Sequence, residues 1–291
     1  MALSKLSDDL IFIIFSKLCN VLHMGDAVAF SSASSELRAL TRLEVAAAHV
    51  AWLEVAARRA GKRSYKKLSH AKSLQCIRTG VSADDLATLG TLCSIGSMLP
   101  ALQDLRLIEP AADGVQRLAE KLGADALPAL SVLRLGGLHV GDAGASALAA
   151  ALGRGALPRL KTLQLNDAAI GDEGLVALAP ALRRLPALET LNLSSNPFGD
   201  VGLQALVEPP PPAGAPPPPI GALAELKVLY LGNTGITDTG CSALVAALDS
   251  GALLALEELG LHGRGLLRGA PASDATRAAL QQRVPKVTLG R

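Results

Sequence analysis

Leu160-Lys161-Thr162-Leu163-Gln164-Leu165 and, 28 residues on, Leu188-Glu189-Thr190-Leu191-Asn192-Leu193 carry one pattern, L-x-x-L-x-L. The pattern also stands at Leu102/Leu105/Leu107, Leu130/Leu133/Leu135, Leu226/Leu229/Leu231 and Leu256/Leu259/Leu261, with successive first leucines 28, 30, 28, 38 and 30 residues apart. A weaker copy, Leu74/Ile77/Thr79, lies 28 residues before Leu102, and another, Val284/Val287/Leu289, lies 28 residues after Leu256. Self-similarity at this period marks a solenoid: each unit is too small to bury its own apolar face and stacks on its neighbours. Within each copy the leucines alternate with other residues, which predicts a short strand with its leucines turned inward. Strands are predicted to begin near Leu74, Leu102, Leu130, Leu160, Leu188, Leu226, Leu256 and Val284, all parallel in one sheet.

A helix signal follows the strand in four units: Gly141-Asp-Ala-Gly-Ala-Ser-Ala-Leu148, Gly171-Asp-Glu-Gly-Leu-Val-Ala-Leu178, Gly199-Asp-Val-Gly-Leu-Gln-Ala-Leu206 and Thr237-Asp-Thr-Gly-Cys-Ser-Ala-Leu244. Asp142, Asp172, Asp200 and Asp238 hold one repeat position. Each can accept from free N–H groups at a helix start, so their recurrence points to caps rather than to a carboxylate site. Residues 74–291 thus resemble the ribonuclease-inhibitor type of leucine-rich repeat. The resemblance implies an α/β horseshoe, with a parallel sheet on the concave side and helices on the convex side. The asparagine that follows the strand in that family stands only at Asn196, with Pro110, Leu138, Ala168, Thr234 and Arg264 at the matching positions. Pro180 falls inside one helix signal, where it removes a backbone bond and is expected to kink it. Pro209–Pro212 and Pro216–Pro219 lengthen one unit to 38 residues and read as a stiff low-complexity loop, with a polyproline ligand as the functional alternative.

The first 60 residues have a different vocabulary. Five of the seven aromatics, Phe12, Phe15, Phe30, Trp52 and Tyr65, fall within the first 65 positions, against 2% aromatics for the whole chain. The expected organisation is a helical module over 1–60, a basic connector over 61–73 and the solenoid over 74–291. Asp8 and Asp9 can cap a first helix whose Leu10, Ile14 and Leu18 share one face. Leu6-Ser7-Asp8-Asp9-Leu10, then Ile14, Leu18, Asp26 and the run from Ser31 to Leu40, resemble an F-box over about residues 3–42. That resemblance implies docking to a Skp-type adaptor of a Skp–cullin–F-box ubiquitin ligase through Leu6, Leu10, Ile14 and Leu18. Leu6-Ser7 stands where the family opens with Leu-Pro. The alternative is a helical cap on the open end of the solenoid. The cations from Arg58 to Lys72, with no acid between them, read as a solvated helix end or as an anion-binding or nuclear-localisation patch.

Chemistry is not what the chain advertises. The histidines His23, His49, His70, His139 and His262 have no metal-ligand spacing, and no phosphate-cradling loop or nucleophile–base pair is present in sequence. No catalytic residue, metal or cofactor is therefore expected, and a GTPase-activating role would rest on fold analogy alone. Net charge is +2, which gives no reason to expect specific nucleic-acid binding. The scattered cysteines Cys19, Cys76, Cys93 and Cys241 suggest a reducing compartment. With no secretory signal or membrane span legible, a cytoplasmic or nuclear protein is expected.

The residues between the strand leucines are then the candidate binding surface. Taken at the same place in each repeat, the first column reads Cys76, Asp104, Val132, Thr162, Thr190, Val228, Glu258, and the second Arg78, Arg106, Arg134, Gln164, Asn192, Tyr230, Gly260. Arg78, Asp104, Arg106, Arg134, Gln164, Asn192 and Tyr230 are the expected partner-binding residues on the concave face. Arg78, Arg106 and Arg134 are expected to stand in a row. Such a row suits an acidic or phosphorylated segment, unless Asp104 and Glu109 simply neutralise it. The function expected is non-catalytic protein binding, either as a substrate-recognition subunit or as a free-standing scaffold.

Overall fold

The computed structural model describes residues 71–77, 86–87, 89–90, 93, 99–108, 113–137, 139–207, 223–261 and 273–289. They belong to one compact unit, Ser69–Arg291. Leu6, Leu10, Ile14 and Leu18, the remainder of the F-box-like segment, Arg78, Glu109, the proline-rich loop and His262 lie outside the described residues.

The strands are β1 (Ser73–Ile77), β2 (Asp104–Ile108), β3 (Val132–Arg134), β4 (Thr162–Gln164), β5 (Thr190–Asn192), β6 (Val228–Tyr230), β7 (Glu258–Leu261) and β8 (Lys286–Leu289). They form one eight-stranded sheet in sequence order, and every pairing is parallel. The helices are α1 (Gly114–Lys121), α2 (Gly141–Gly153), α3 (Asp172–Leu182), α4 (Asp200–Val207), α5 (Asp238–Asp249) and α6 (Asp274–Arg283). From β2 to β8 each connection between neighbouring strands crosses a helix, and each helix packs on the next. The inward leucines make the core. Leu133, Leu163, Leu191, Leu229 and Leu259, paired rung to rung, are all buried. The helices meet them with Leu148, Leu175, Leu178, Leu203, Leu206 and Leu244. Buried alanines such as Ala145, Ala151 and Ala179 leave room for the helices to lie close together.

The register of the first pair differs from the strict 28-residue reading. Leu74 pairs with Leu105 and Gln75 with Arg106, an offset of 31. The expected offset would have placed Thr79 at a core position that is leucine in the other units. The observed offset instead sets Cys76 opposite Leu107 and Leu74 opposite Leu105, with Leu74 buried. Register follows burial wherever one face of a strand is covered. The expected row of three arginines is therefore not formed: Gln75 stands in the column beside Arg106, and Arg106 beside Arg134. At the other end, the copy Val284/Val287/Leu289 pairs as expected, Val287 with Leu259 and Leu289 with Leu261.

The recurring aspartates cap helices, but not their own. Asp142 Oδ1 accepts from the N–H groups of Gly171 (2.7 Å) and Gly174 (3.0 Å), at the start of the following helix. Asp172 Oδ1 does the same for Gly199 (2.9 Å) and Gly202 (2.7 Å), and Asp200 Oδ1 for Thr237 (2.8 Å) and Gly240 (3.0 Å). Asp238 continues the series by accepting from Ser273 N (2.8 Å). Each carboxylate satisfies orphan donors one repeat away and stands at the positive end of that helix's dipole. The last glycine of three of these stretches, Gly174, Gly202 and Gly240, is explained by the same contact, whereas Gly144 packs against Val140. A Cβ on Gly174 or Gly240 would run into the capping oxygen of the previous repeat.

Helix α3 continues through Pro180 as far as Leu182, with the proline on its exposed side. Leu127, Leu157, Leu223 and Leu253, which precede four of the strands, have φ of 52–58°. That left-handed backbone costs an L-residue about 1–2 kcal/mol. Burying each of these leucines to 3% exposure or less offsets a cost of that size.

Candidate partner-binding face

Among the described residues, helices cover one face of the sheet and leave the other open. The open face carries the residues that alternate with the core leucines. Asp104, Val132, Thr162, Thr190, Val228, Glu258 and Lys286 form one column, and Arg106, Arg134, Gln164, Asn192, Tyr230, Gly260 and Thr288 the next. Six of the seven expected partner-binding residues, Asp104, Arg106, Arg134, Gln164, Asn192 and Tyr230, lie in these two columns. Of the six, Arg106 is the most open to solvent and the others are half-buried. Eight strands at ~4.8 Å extend the face over roughly 34 Å.

Charge on this face is arranged in short struts between neighbouring strands. Arg134 Nη1 donates to both oxygens of Asp104, at 2.7 and 2.5 Å, so the arginine leans back over β2. Each of those side chains keeps about a third of its surface, 34% and 31%. Pairs this exposed add little stability, so the strut acts mainly by fixing Arg134 and cancelling its charge. Arg106 has no such carboxylate among the described residues. Tyr230 leans the other way: its OH donates to Glu258 Oε1 (3.0 Å), which Lys286 Nζ also approaches through Oε2 (2.7 Å). One edge of the tyrosine ring stands over Gly260, where a Cβ would come within 2.5 Å of Cδ1. The hydrogen bond to Glu258 pushes the Tyr230 phenol pKa up, while the bonds from Lys286 and Tyr230 hold the Glu258 carboxyl below its usual range. Along the strand entrances, Glu189 bridges Lys161 (2.7 Å) and Lys227 (3.3 Å). Those two hydrogen bonds lower its pKa.

Lys286, Gly260 and Gln75 belong to the face and were not among the expected site residues. A glycine at the column position next to a tyrosine was a legible signal for the ring's resting place. Gln75 was hidden by the register of β1. Among the described residues, no group of three or more His, Cys, Asp or Glu side chains could hold a metal ion. Nor, among those residues, is any helix long and apolar enough to cross a membrane. Cys93 and Cys241 are buried free thiols, pushed up by burial to about 12 and about 11.

Residues 157–179, 185–207 and 225–245 match the family model of the Leucine Rich repeat. These segments are leucine-rich repeats. They cover β4, β5, β6 and α4 entire and most of α3 and α5, and the same strand-and-helix unit recurs on either side of them. The alternating strands and helices and the open, all-parallel sheet make the fold an α/β leucine-rich-repeat horseshoe. Among solved structures the repeats are similar to an internalin (inlF) from Listeria monocytogenes, at 13% identity and a TM-score of 0.33, covering 83% of this chain and 88% of that one. No curated protein matches the chain.

Proposed function

We propose that the chain is a non-catalytic protein-interaction scaffold whose open sheet face binds a protein partner, and that it serves as the substrate-recognition subunit of a Skp–cullin–F-box ubiquitin ligase. The observation that carries the binding role is the open face itself. Its outward side chains are mostly polar, and its charges other than Arg106 are paired in place by struts such as Arg134–Asp104 and Tyr230–Glu258–Lys286. Such a surface offers directional hydrogen bonds without a large field, which favours a specific partner over a nonspecific polyanion. The adaptor role rests on the F-box-like residues Leu6, Leu10, Ile14 and Leu18, and the reading places the protein in the cytoplasm or nucleus.

The test is affinity purification of the full chain followed by mass spectrometry. Recovery of a Skp-type adaptor with a cullin supports the ligase role, and large-to-small changes at Leu10 and Ile14 should then abolish that recovery. A stable partner without adaptor or cullin would reduce the reading to a free-standing scaffold with a helical cap. A partner whose recovery is insensitive to every substitution on the open face would overturn the binding role assigned to it.

A further inference from the structure

Resting on the binding role of the open face, we infer that its middle, over β4 and β5, is a neutral trough that holds an extended, uncharged peptide segment of the partner by its main chain.

The trough is defined by which way its neighbours lean. Arg134 on β3 is drawn away toward Asp104 on β2. Tyr230 on β6 is drawn away over Gly260 and Glu258 on β7. Between them β4 and β5 are left without a large side chain. From β3 to β6 is three strand spacings, about 14 Å at ~4.8 Å each, wide enough for one polypeptide segment. The floor consists of Thr162 and Gln164 on β4 with Thr190 and Asn192 on β5, continued past the strand ends by Asn166 and Ser194. None of these six side chains carries a formal charge, and all are half-buried. The cations and carboxylates of the face stand outside the trough, and the struts on its flanks are internally neutralised.

The spacing of the floor selects the occupant. Outward residues recur every second position along β4 and β5, about 6.8 Å apart. The main-chain N–H and C=O groups on one edge of an extended peptide recur at the same interval, because alternate residues of a strand face the same way. A peptide laid along β4 and β5 therefore meets a hydroxyl or carboxamide at each of three successive rungs: Thr162/Thr190, Gln164/Asn192 and Asn166/Ser194. Carboxamides and hydroxyls both donate and accept, which matches peptide groups and gives no preference for a charged side chain. Asn192 Oδ1 already accepts from Ser194 N (3.0 Å), which fixes the side chain and leaves its NH2 to donate. A helical occupant has its peptide groups satisfied internally and would leave these rungs with side chains alone. A charged segment would lose hydration over a floor with no counter-charge.

A random peptide display library panned against the full chain tests this. The expected result is a set of peptides with an uncharged core, whose binding falls roughly tenfold in Gln164→Ala/Asn192→Ala, from loss of two hydrogen-bonding side chains. Thr190→Val, which keeps shape and removes the hydroxyl, should weaken binding roughly three- to tenfold with the melting temperature unchanged. N-methylation scanned along a recovered peptide should weaken binding at alternate residues and spare those between. Recovery of no peptide, of acid-rich peptides lost in Arg106→Ala but not in Gln164→Ala/Asn192→Ala, or of peptides with no two-residue alternation would overturn the inference. If a native partner is captured and lost in Arg106→Ala but kept in the trough variants, the binding role of the face survives and the trough does not.

Discussion

Gly202 occupies a helical position where alanine would ordinarily be better by up to about 1 kcal/mol. In this fold it should be worse. A Cβ there would stand 2.9 Å from Asp172 Oδ1 and 3.2 Å from Leu175 Cδ2, and Asp172 Oδ1 is the acceptor for both Gly199 N and Gly202 N. The carboxylate cannot withdraw without leaving donors at the start of α4 unsatisfied. Gly202→Ala is therefore expected to destabilise by about 1–2 kcal/mol, the size of a lost cap, read as a lower urea midpoint. A midpoint equal to or above the parent's would mean that the carboxylate shifts aside at no cost. The position of these aspartates and glycines was legible in the sequence, and so was their role as caps. Which helix each one caps was not, because the bond spans 27 to 40 residues and nothing local encodes its direction.

At the level of elements, helix ends are tied to one another by arginines. Arg154, just past α2, donates through Nη2 to Ala119 O (3.0 Å) and Leu122 O (2.9 Å) at the end of α1. The cation sits at the negative end of that helix's dipole, pairs the Leu122 carbonyl and adds a second donor to that of Ala119, which already accepts from Leu122 N. Arg154→Ala should cost about 1–2 kcal/mol and speed amide exchange in the last turn of α1 more than in α3. Uniform exchange across both helices would sink the assignment. The struts on the open face respond to acid. Hydrogen bonds hold the carboxyls of Glu189 and Glu258 below their usual range, so the folded chain binds fewer protons there than the unfolded one. Their contribution is present above the ordinary carboxylate pKa of about 4.3 and is lost as pH falls through the lowered folded values. In Glu258→Gln, the fall in stability below about pH 4.3 should be shallower than in the parent when urea midpoints are compared across pH. The strand positions were legible because a repeated leucine pattern leaves one way to bury itself. The register of β1 was not, because its copy carries Thr79 where the other units have leucine, and the observed pairing sets Cys76 opposite Leu107 instead.

The whole solenoid is held by contacts between neighbours only, so its cooperativity depends on the strength of each interface. One such tie lies near the middle. Asn196 is 2% exposed. Its Oδ1 accepts from Ala168 N (3.1 Å) and Ile170 N (3.0 Å), and its Nδ2 donates to Leu165 O (2.7 Å) and Leu193 O (2.8 Å). One side chain thus satisfies backbone groups of two successive repeats in a place water does not reach. At the equivalent position of the next repeat, Thr234 reaches only Leu231 O (2.8 Å), a bond within its own turn. The family's strand-following asparagine stands at this one rung, and that rung carries the join between the β4 and β5 repeats. Asn196→Ala leaves several buried groups unpaired, each costing about 1–3 kcal/mol, so a loss of at least roughly 3 kcal/mol is expected. The loss should fall on the interface rather than on either repeat, because the leucine cores on both sides remain intact. Unfolding should then lose cooperativity: the urea transition broadens, its m-value drops, and amides of β2 to β4 exchange independently of those of β5 to β8. Thr at position 196 should restore the bond to Leu193 O, by analogy with Thr234, and leave the coupling broken. A variant that unfolds in one transition with the parent m-value would show that the leucine stacking alone couples the repeats.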